Sequence, residues 1–216
     1  MLRFLTAGES HGESLMGIIE GFPQGLYMDE AYINNELERR QKGYGRSNRM
    51  NIEKDQIKIL SGVNQGYTTG NPISIELTNR GKNIDLVEIT KPRPGHADLP
   101  GTLKYNQKGA RNILERASAR ETAMRVALGG MCKLFLREFK IEIYSHIIQI
   151  GNVKSKIGYY SGKIKNLEEV DKSPLRVLDK DTEALMIGEI EKAKSMGDTL
   201  GGVMEVIGVN IPVGLG

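Results

Sequence analysis

Two histidines and a set of arginines are the residues of this chain best suited to chemistry, and they fall in four short clusters. GESHG (8–12) places Ser10 and His11 between glycines, which free the backbone for a tight turn and let a ligand approach. RRQKGYGRSNRM (39–50) gathers Arg39, Arg40, Arg46, Arg49 and Lys42 around two glycines. KPRPGHADL (91–99) stiffens the backbone with Pro92 and Pro94, then presents His96 between Arg93 and Asp98. ERASARETAMRVA (115–127) sets Arg116 and Arg120 beside the start of an apolar helical pattern. Guanidinium groups hold carboxylates and phosphates in planar, two-pronged contacts, and imidazole exchanges protons near neutral pH. Together these residues suit the binding of a multiply charged anion and proton transfer beside it. Serine hydrolysis is set aside, because GESHG lacks the strand-to-helix turn of a nucleophile elbow.

Composition agrees with that chemistry. The chain has 216 residues and a net charge of +3, with 11 of its 13 arginines at or before position 125 and 10 of its 17 lysines after it. The first part therefore reads as the anion binder. A single cysteine, Cys132, in GGMCKLF cannot form an internal disulfide and is expected to be a small buried apolar residue. Three scattered histidines give no metal-binding pair, so no metal site is expected. No long apolar run or secretory signal is present, which points to a cytoplasmic chain without a membrane partner. The residues alone leave two readings open, a small-molecule enzyme and a non-catalytic module that binds small anions or RNA through an arginine-rich surface.

The elements that must carry these clusters follow from periodicity. Residues 2–7 and 15–22 predict a hairpin with His11 in its loop, and QIKILSG with PISIELTN predicts a second antiparallel hairpin around NQGYTTGN. Asp29 predicts the N-cap of a helix with Ile33 and Leu37 inward, Arg39 and Arg40 in its last turn and Gly43 at its end. Residues 80–108, rich in proline and glycine, predict a long loop. Ser118 and Glu121 predict a capping box opening a helix to about Glu138, followed by a strand near 141–150, a helix around 181–196 and a strand at 203–211. The fold class is α+β, with antiparallel sheets packed on helices. The ending NIPVGLG points onward from a strand and suggests a fragment.

In their order along the chain, LTAGESHG, RRQKGYGRSNRM, KILSGVNQGYTTGNPI, RPGHADL, ERASARETAMRVALGG and GGVMEVIGVNIPVGLG closely resemble the chorismate synthase family. The resemblance implies a lyase of the shikimate pathway of aromatic amino-acid biosynthesis. It converts 5-enolpyruvylshikimate 3-phosphate to chorismate and phosphate by 1,4-anti elimination with reduced FMN. It also implies a fold with helices between two four-stranded antiparallel sheets, of which residues 1–216 would be the N-terminal portion of a single domain, and a homotetramer. By the same resemblance Ser10, His11, Arg40, Arg49, Arg93 and Arg120 contact substrate, and Arg116, Ala117 and Ser118 form part of the FMN site. His11 assists phosphate departure, and His96 exchanges a proton with the reduced flavin. Arg40 and Arg46 match positions associated with NADP(H), the reductant of the flavin in some members. The family continues past this C-terminus with further flavin contacts and a proton-transferring aspartate, so the 216 residues alone are expected to be inactive.

Overall fold

Alternation of apolar residues builds the first sheet. In the computed structural model, which describes residues 1–45, 54–80, 88–158 and 167–215, strands β1 (Arg3–Gly8) and β2 (Ser14–Glu20) form the expected hairpin, with Gly8 opposite Leu15. Strands β3 (Ile57–Ser61) and β6 (Ile73–Thr78) pair antiparallel as expected. The connection between them adds a ribbon of two-residue strands, β4 (Val63–Asn64) and β5 (Tyr67–Thr68). The resulting four-stranded sheet has the order β1-β2-β6-β3.

One face of this sheet makes the core. Leu15 lies opposite Leu77, Gly17 opposite Ile75 and Ile19 opposite Ile73, and all six are buried. Full burial of each Leu or Ile contributes roughly 1.5–3 kcal/mol, so a one-residue slip that turned this face outward would cost far more than a turn could recover. Helix α1 (Glu30–Gln41) covers the face with Ile33 and Leu37, one helical turn apart and wholly buried. Its start is capped as expected, Asp29 Oδ1 accepting the Tyr32 N–H at 3.1 Å.

Two predictions about the segment from 80 to 121 need correction. The expected long loop contains a helix, α2 (Asp98–Tyr105), and a further short helix, α3 (Arg111–Arg116), follows it. Pro100 lies in the first turn of α2, where its missing N–H would have had no partner within the helix. Proline punctuation here marks a helix start rather than a loop. Residues 81–87 of the predicted loop lie outside the described residues.

The second correction concerns the capping box. Helix α4 (Glu121–Glu138) begins after a turn in which Glu121 N bonds Ser118 O and Thr122 N bonds Ala119 O. Ser118 Oγ accepts from Arg120 N rather than from Glu121 N. The Glu121 carboxylate is held by Thr6 at 2.7 Å and Arg125 at 2.8 Å instead of reaching back to Ser118. Arg116 and Arg120 thus flank a turn between two helices, with Arg116 closing α3.

Helix α4 buries Ala123, Met124, Ala127, Leu128 and Met131 in the same core as β2, β6 and α1. Gly17 permits this close approach, since a Cβ there would sit 2.6 Å from Met124 Sδ. Cys132 packs at the edge of the core, half-buried rather than fully buried, and burial raises its thiol pKa.

The chain divides into two units, one of Met1–Arg40 with Asn48–Phe135, described above, and one of Gln41–Ser47 with Leu136–Gly216. The second contains a three-stranded antiparallel sheet of order β8-β7-β9, from β7 (Glu142–Ile150), β8 (Val153–Lys154) and β9 (Gly202–Val209). Helix α5 (Lys180–Met196) packs Met186 with Leu175, Val177 and Ile147, and is capped by Asp179 at its start and by left-handed Gly197 at its end. Residues 159–166 lie outside the described residues.

Candidate active site

The loop that carries His11 is a tight turn, with Gly12 N bonding Glu9 O at 3.2 Å. Gly8 leads into it at φ +100°, and a Cβ there would meet Ser14 O at 2.3 Å, so only glycine fits. Ser10 is buried, its N–H donates to Glu115 O at the end of α3, and its Oγ lies 2.9 Å from His11 Nδ1.

Asn79 fastens this turn to the arginines. Its Nδ2 donates to both Glu9 O and Gly12 O at 2.9 Å, and its Oδ1 accepts from Arg120 Nε at 3.0 Å. The amide orientation follows from chemistry, because carbonyls can only accept and a guanidinium can only donate. Arg120 in turn donates through Nη1 to Asp55 Oδ1 at 2.6 Å. Arg40, in the last turn of α1, brings Nη1 to 3.7 Å from Asp55 Oδ2. It also donates to Ala119 O at 2.9 Å and Thr122 Oγ1 at 3.1 Å. The side chains of Arg40, Arg120 and Asp55 are 7%, 5% and 1% exposed, so two guanidinium charges face one carboxylate in a nearly dry interior.

His96 belongs to a second cluster, built within a few residues. Asp98 is fully buried and accepts Arg93 N at 3.0 Å and Arg93 Nε at 2.9 Å. The Arg93 guanidinium bonded to it holds the Asp98 carboxyl well below the usual carboxylate range, against the opposing effect of burial. His96 Nδ1 lies 2.6 Å from Asp98 Oδ1 and 3.0 Å from Arg93 Nη2. An ionised carboxylate only accepts, so the shorter contact requires the proton on Nδ1 and leaves Nε2 of the neutral ring as a base.

Arg116 donates through Nη2 to Thr6 O at 2.8 Å and Thr6 Oγ1 at 2.9 Å, while its Nη1 is buried without a hydrogen-bond partner. A buried guanidinium N–H lacking an acceptor fits a bound phosphate or another anionic group. Ser118 Oγ, which accepts from Arg120 N, retains its own proton to donate. Ala117 N is engaged by Ile113 O.

Of the arginines expected at one pocket, Arg40 and Arg120 share Asp55, whereas Arg93 is held by Asp98. Arg46 and Arg49 lie outside the described residues. Asp55 and Asn79 were not singled out from the sequence, although a signal for both exists. The inward-facing positions 57 and 59 on β3 and 73, 75 and 77 on β6 extend by one further step to Asp55 and Asn79. A polar residue in that register must be hydrogen-bonded or unstable.

Comparison with known proteins adds a family. Residues 2–216 match the sequence model of the family described as chorismate synthase. The chain is 51% identical over 230 residues to "Chorismate synthase" of Carboxydothermus hydrogenoformans, covering 100% of this chain and 59% of that protein. It is 49% identical over 228 residues to "Chorismate synthase" of Alkaliphilus metalliredigens, covering 100% of this chain and 60% of that protein. A solved structure titled "Crystal Structure of Chorismate Synthase" superposes with a TM-score of 0.81 at 44% identity, over 98% of this chain and 58% of that one. The chain therefore spans less than two thirds of the length of these relatives.

Proposed function

The chain belongs to the chorismate synthase family, and from that premise we propose that it takes part in converting 5-enolpyruvylshikimate 3-phosphate to chorismate and phosphate by 1,4-anti elimination. The observation that carries the reading is the convergence of Arg40 and Arg120 on Asp55, in the same network that fastens the His11 turn. A substrate with two carboxylates and a phosphate needs fixed cations and a proton donor beside the departing oxygens. Arg40, Arg120 and Arg93 hold anionic groups, with Ser10 as a further contact and Arg49 as one outside the described residues.

His11 serves as the acid. In the imidazolium form both ring nitrogens are donors: Nδ1–H donates to Ser10 Oγ, 2.9 Å away, and Nε2–H can be given to a phosphate oxygen, which leaves neutral imidazole. His96, oriented through Nδ1 by Asp98, exchanges a proton at Nε2.

Reduced FMN, when bound, supplies electron density to the elimination. Arg116, Ala117 and Ser118 would hold it, a fit supported by the buried unpartnered Nη1 of Arg116. Arg40 and Arg46 would meet NADP(H) as the flavin's reductant. The two units are parts of one catalytic domain, and the complete enzyme is a cytoplasmic homotetramer with neither nucleic acid nor membrane as partner. Among the described residues, no helix is long and apolar enough to cross a membrane. The burial of Arg40 and Arg120 weighs against an RNA-binding surface, which would present its cations to solvent.

The test is an anaerobic assay of the protein encoded by the complete reading frame, with 5-enolpyruvylshikimate 3-phosphate and reduced FMN. Equal release of chorismate and phosphate, with protection from thermal unfolding by flavin, is expected. No turnover, together with flavin indifference and salt-sensitive RNA binding, would overturn the reading.

A further inference from the structure

Asn79 is wholly buried and uses every polar atom of its side chain. Its two Nδ2 protons close the two ends of the Glu9–Gly12 turn, and its own N–H donates to Glu13 O at 3.1 Å. No other side chain of similar size can donate twice to carbonyls and accept from a guanidinium in one plane. Its place one step beyond the buried face of β6, where Ile73, Ile75 and Leu77 pack, ties it to the core side of the sheet.

We propose that Asn79 is a positioning residue, which sets the distance between His11 and the Arg120 guanidinium by holding the His11 turn and Arg120 on one amide. The proposal rests on the functional reading above, in which His11 gives a proton to a group that Arg120 helps to hold. A turn with glycine at residues 8 and 12 has little stiffness of its own. Small errors in a proton donor's position are costly, a displacement of about 1 Å being enough to slow a reaction roughly 100-fold. Asn79 touches neither reacting group, and its effect passes through the turn and through Arg120.

Asn79→Asp separates the two halves of this role. The carboxylate still accepts from Arg120 Nε, but it cannot donate to Glu9 O and Gly12 O and repels both. In the full-length enzyme kcat should fall about 10- to 100-fold while KM stays within about 3-fold, since Arg120 keeps its partner. In a His11→Ala background the same substitution should slow turnover by less than about 3-fold, because the group being positioned is already absent. Equal slowing in both backgrounds, or wild-type kcat with only a lowered Tm, would overturn the proposal.

Asn79→Ser, which introduces no charge but is too short to span from the turn to the guanidinium, serves as a second variant. It is expected to lower kcat by the same factor and, because Arg120 also loses its acceptor, to raise KM, with the kcat loss again reduced to less than about 3-fold in the His11→Ala background. Should neither variant fold, the wild-type side-chain amide is read by NMR. Slow solvent exchange of both Nδ2 protons is required, and rapid exchange of either overturns the bridge. Failure of the underlying reading is distinguishable, since it would leave wild-type enzyme without chorismate formation or His11→Ala with full activity.

Discussion

Arg120 Nη1 donates to Asp55 Oδ1 over 2.6 Å, and both side chains are almost sealed from water. Sixty-five positions separate them in the chain, so the pair joins the approach to β3 with the turn before α4. Removing one member of a buried ion pair strands the other charge and typically costs about 3–5 kcal/mol. Asp55→Ala in the full-length protein should lose stability on that scale, measured by urea unfolding, and should raise KM for substrate as Arg120 loosens. A loss below about 1 kcal/mol would mean that solvent reaches Arg120 and that the site is not dry.

The three histidines should separate by role. His11→Ala and His96→Ala should each slow turnover by roughly 10²- to 10⁴-fold with little change in Tm, the range expected of a positioned acid or base. His146 is different, being buried in β7 with Nε2 at 2.8 Å from Glu205 on the paired strand β9. His146→Ala should cost about 1–3 kcal/mol of stability and leave kcat near wild type. Steady-state kinetics beside thermal melts decide the point, and near-normal rates for both His11→Ala and His96→Ala would remove them from the mechanism.

Asp98 should impose an acid limb on stability. Its carboxyl is held below the ordinary range in the folded chain by the bonded Arg93 guanidinium, whereas an unfolded aspartate titrates near about 3.9. Between these two values the unfolded state binds more protons, so stability rises with pH. The contribution is complete above about pH 4 and is lost as pH falls toward the folded value. The stability difference between wild type and Asp98→Asn, measured by urea unfolding from pH 5 down to pH 2, should shrink with acidity. A constant difference over that range would contradict the assignment.

Gly17 should tolerate no side chain. A Cβ there would lie 2.6 Å from Met124 Sδ and 3.2 Å from Leu128 Cδ2, and overpacking of this kind costs about 1–3 kcal/mol. Gly17→Ala should lose that much stability, and Gly17→Val should lose more and also raise KM, because displacing α4 moves Arg120 at its entry. Denaturant unfolding and substrate titration of both variants test the link, and an unchanged KM in folded Gly17→Val would break it.

Local periodicity was sufficient wherever one residue type repeated on one face. The alternation of Ile73, Ile75 and Leu77 marked β6, the Asp29, Ile33 and Leu37 spacing marked α1, and the clusters around His11, Arg40, His96 and Arg116 were visible as residue types. Each of these signals is carried by neighbours within a turn or two of the chain, and the backbone repeats of strand and helix translate them directly into faces. Ser118 and Pro100 mark the boundary of that method. The same short motif supports a capping box or a preceding turn, and the same proline supports a loop or a first helical turn, with the choice made by packing of α2, α3 and α4. What only the tertiary structure decided is which charges meet. Nothing within reach of Asp55 or Asn79 along the chain indicates Arg120, since their contact depends on β3, β6 and α4 burying a shared apolar face. That packing brings distant polar groups into a dry interior where each must find a partner.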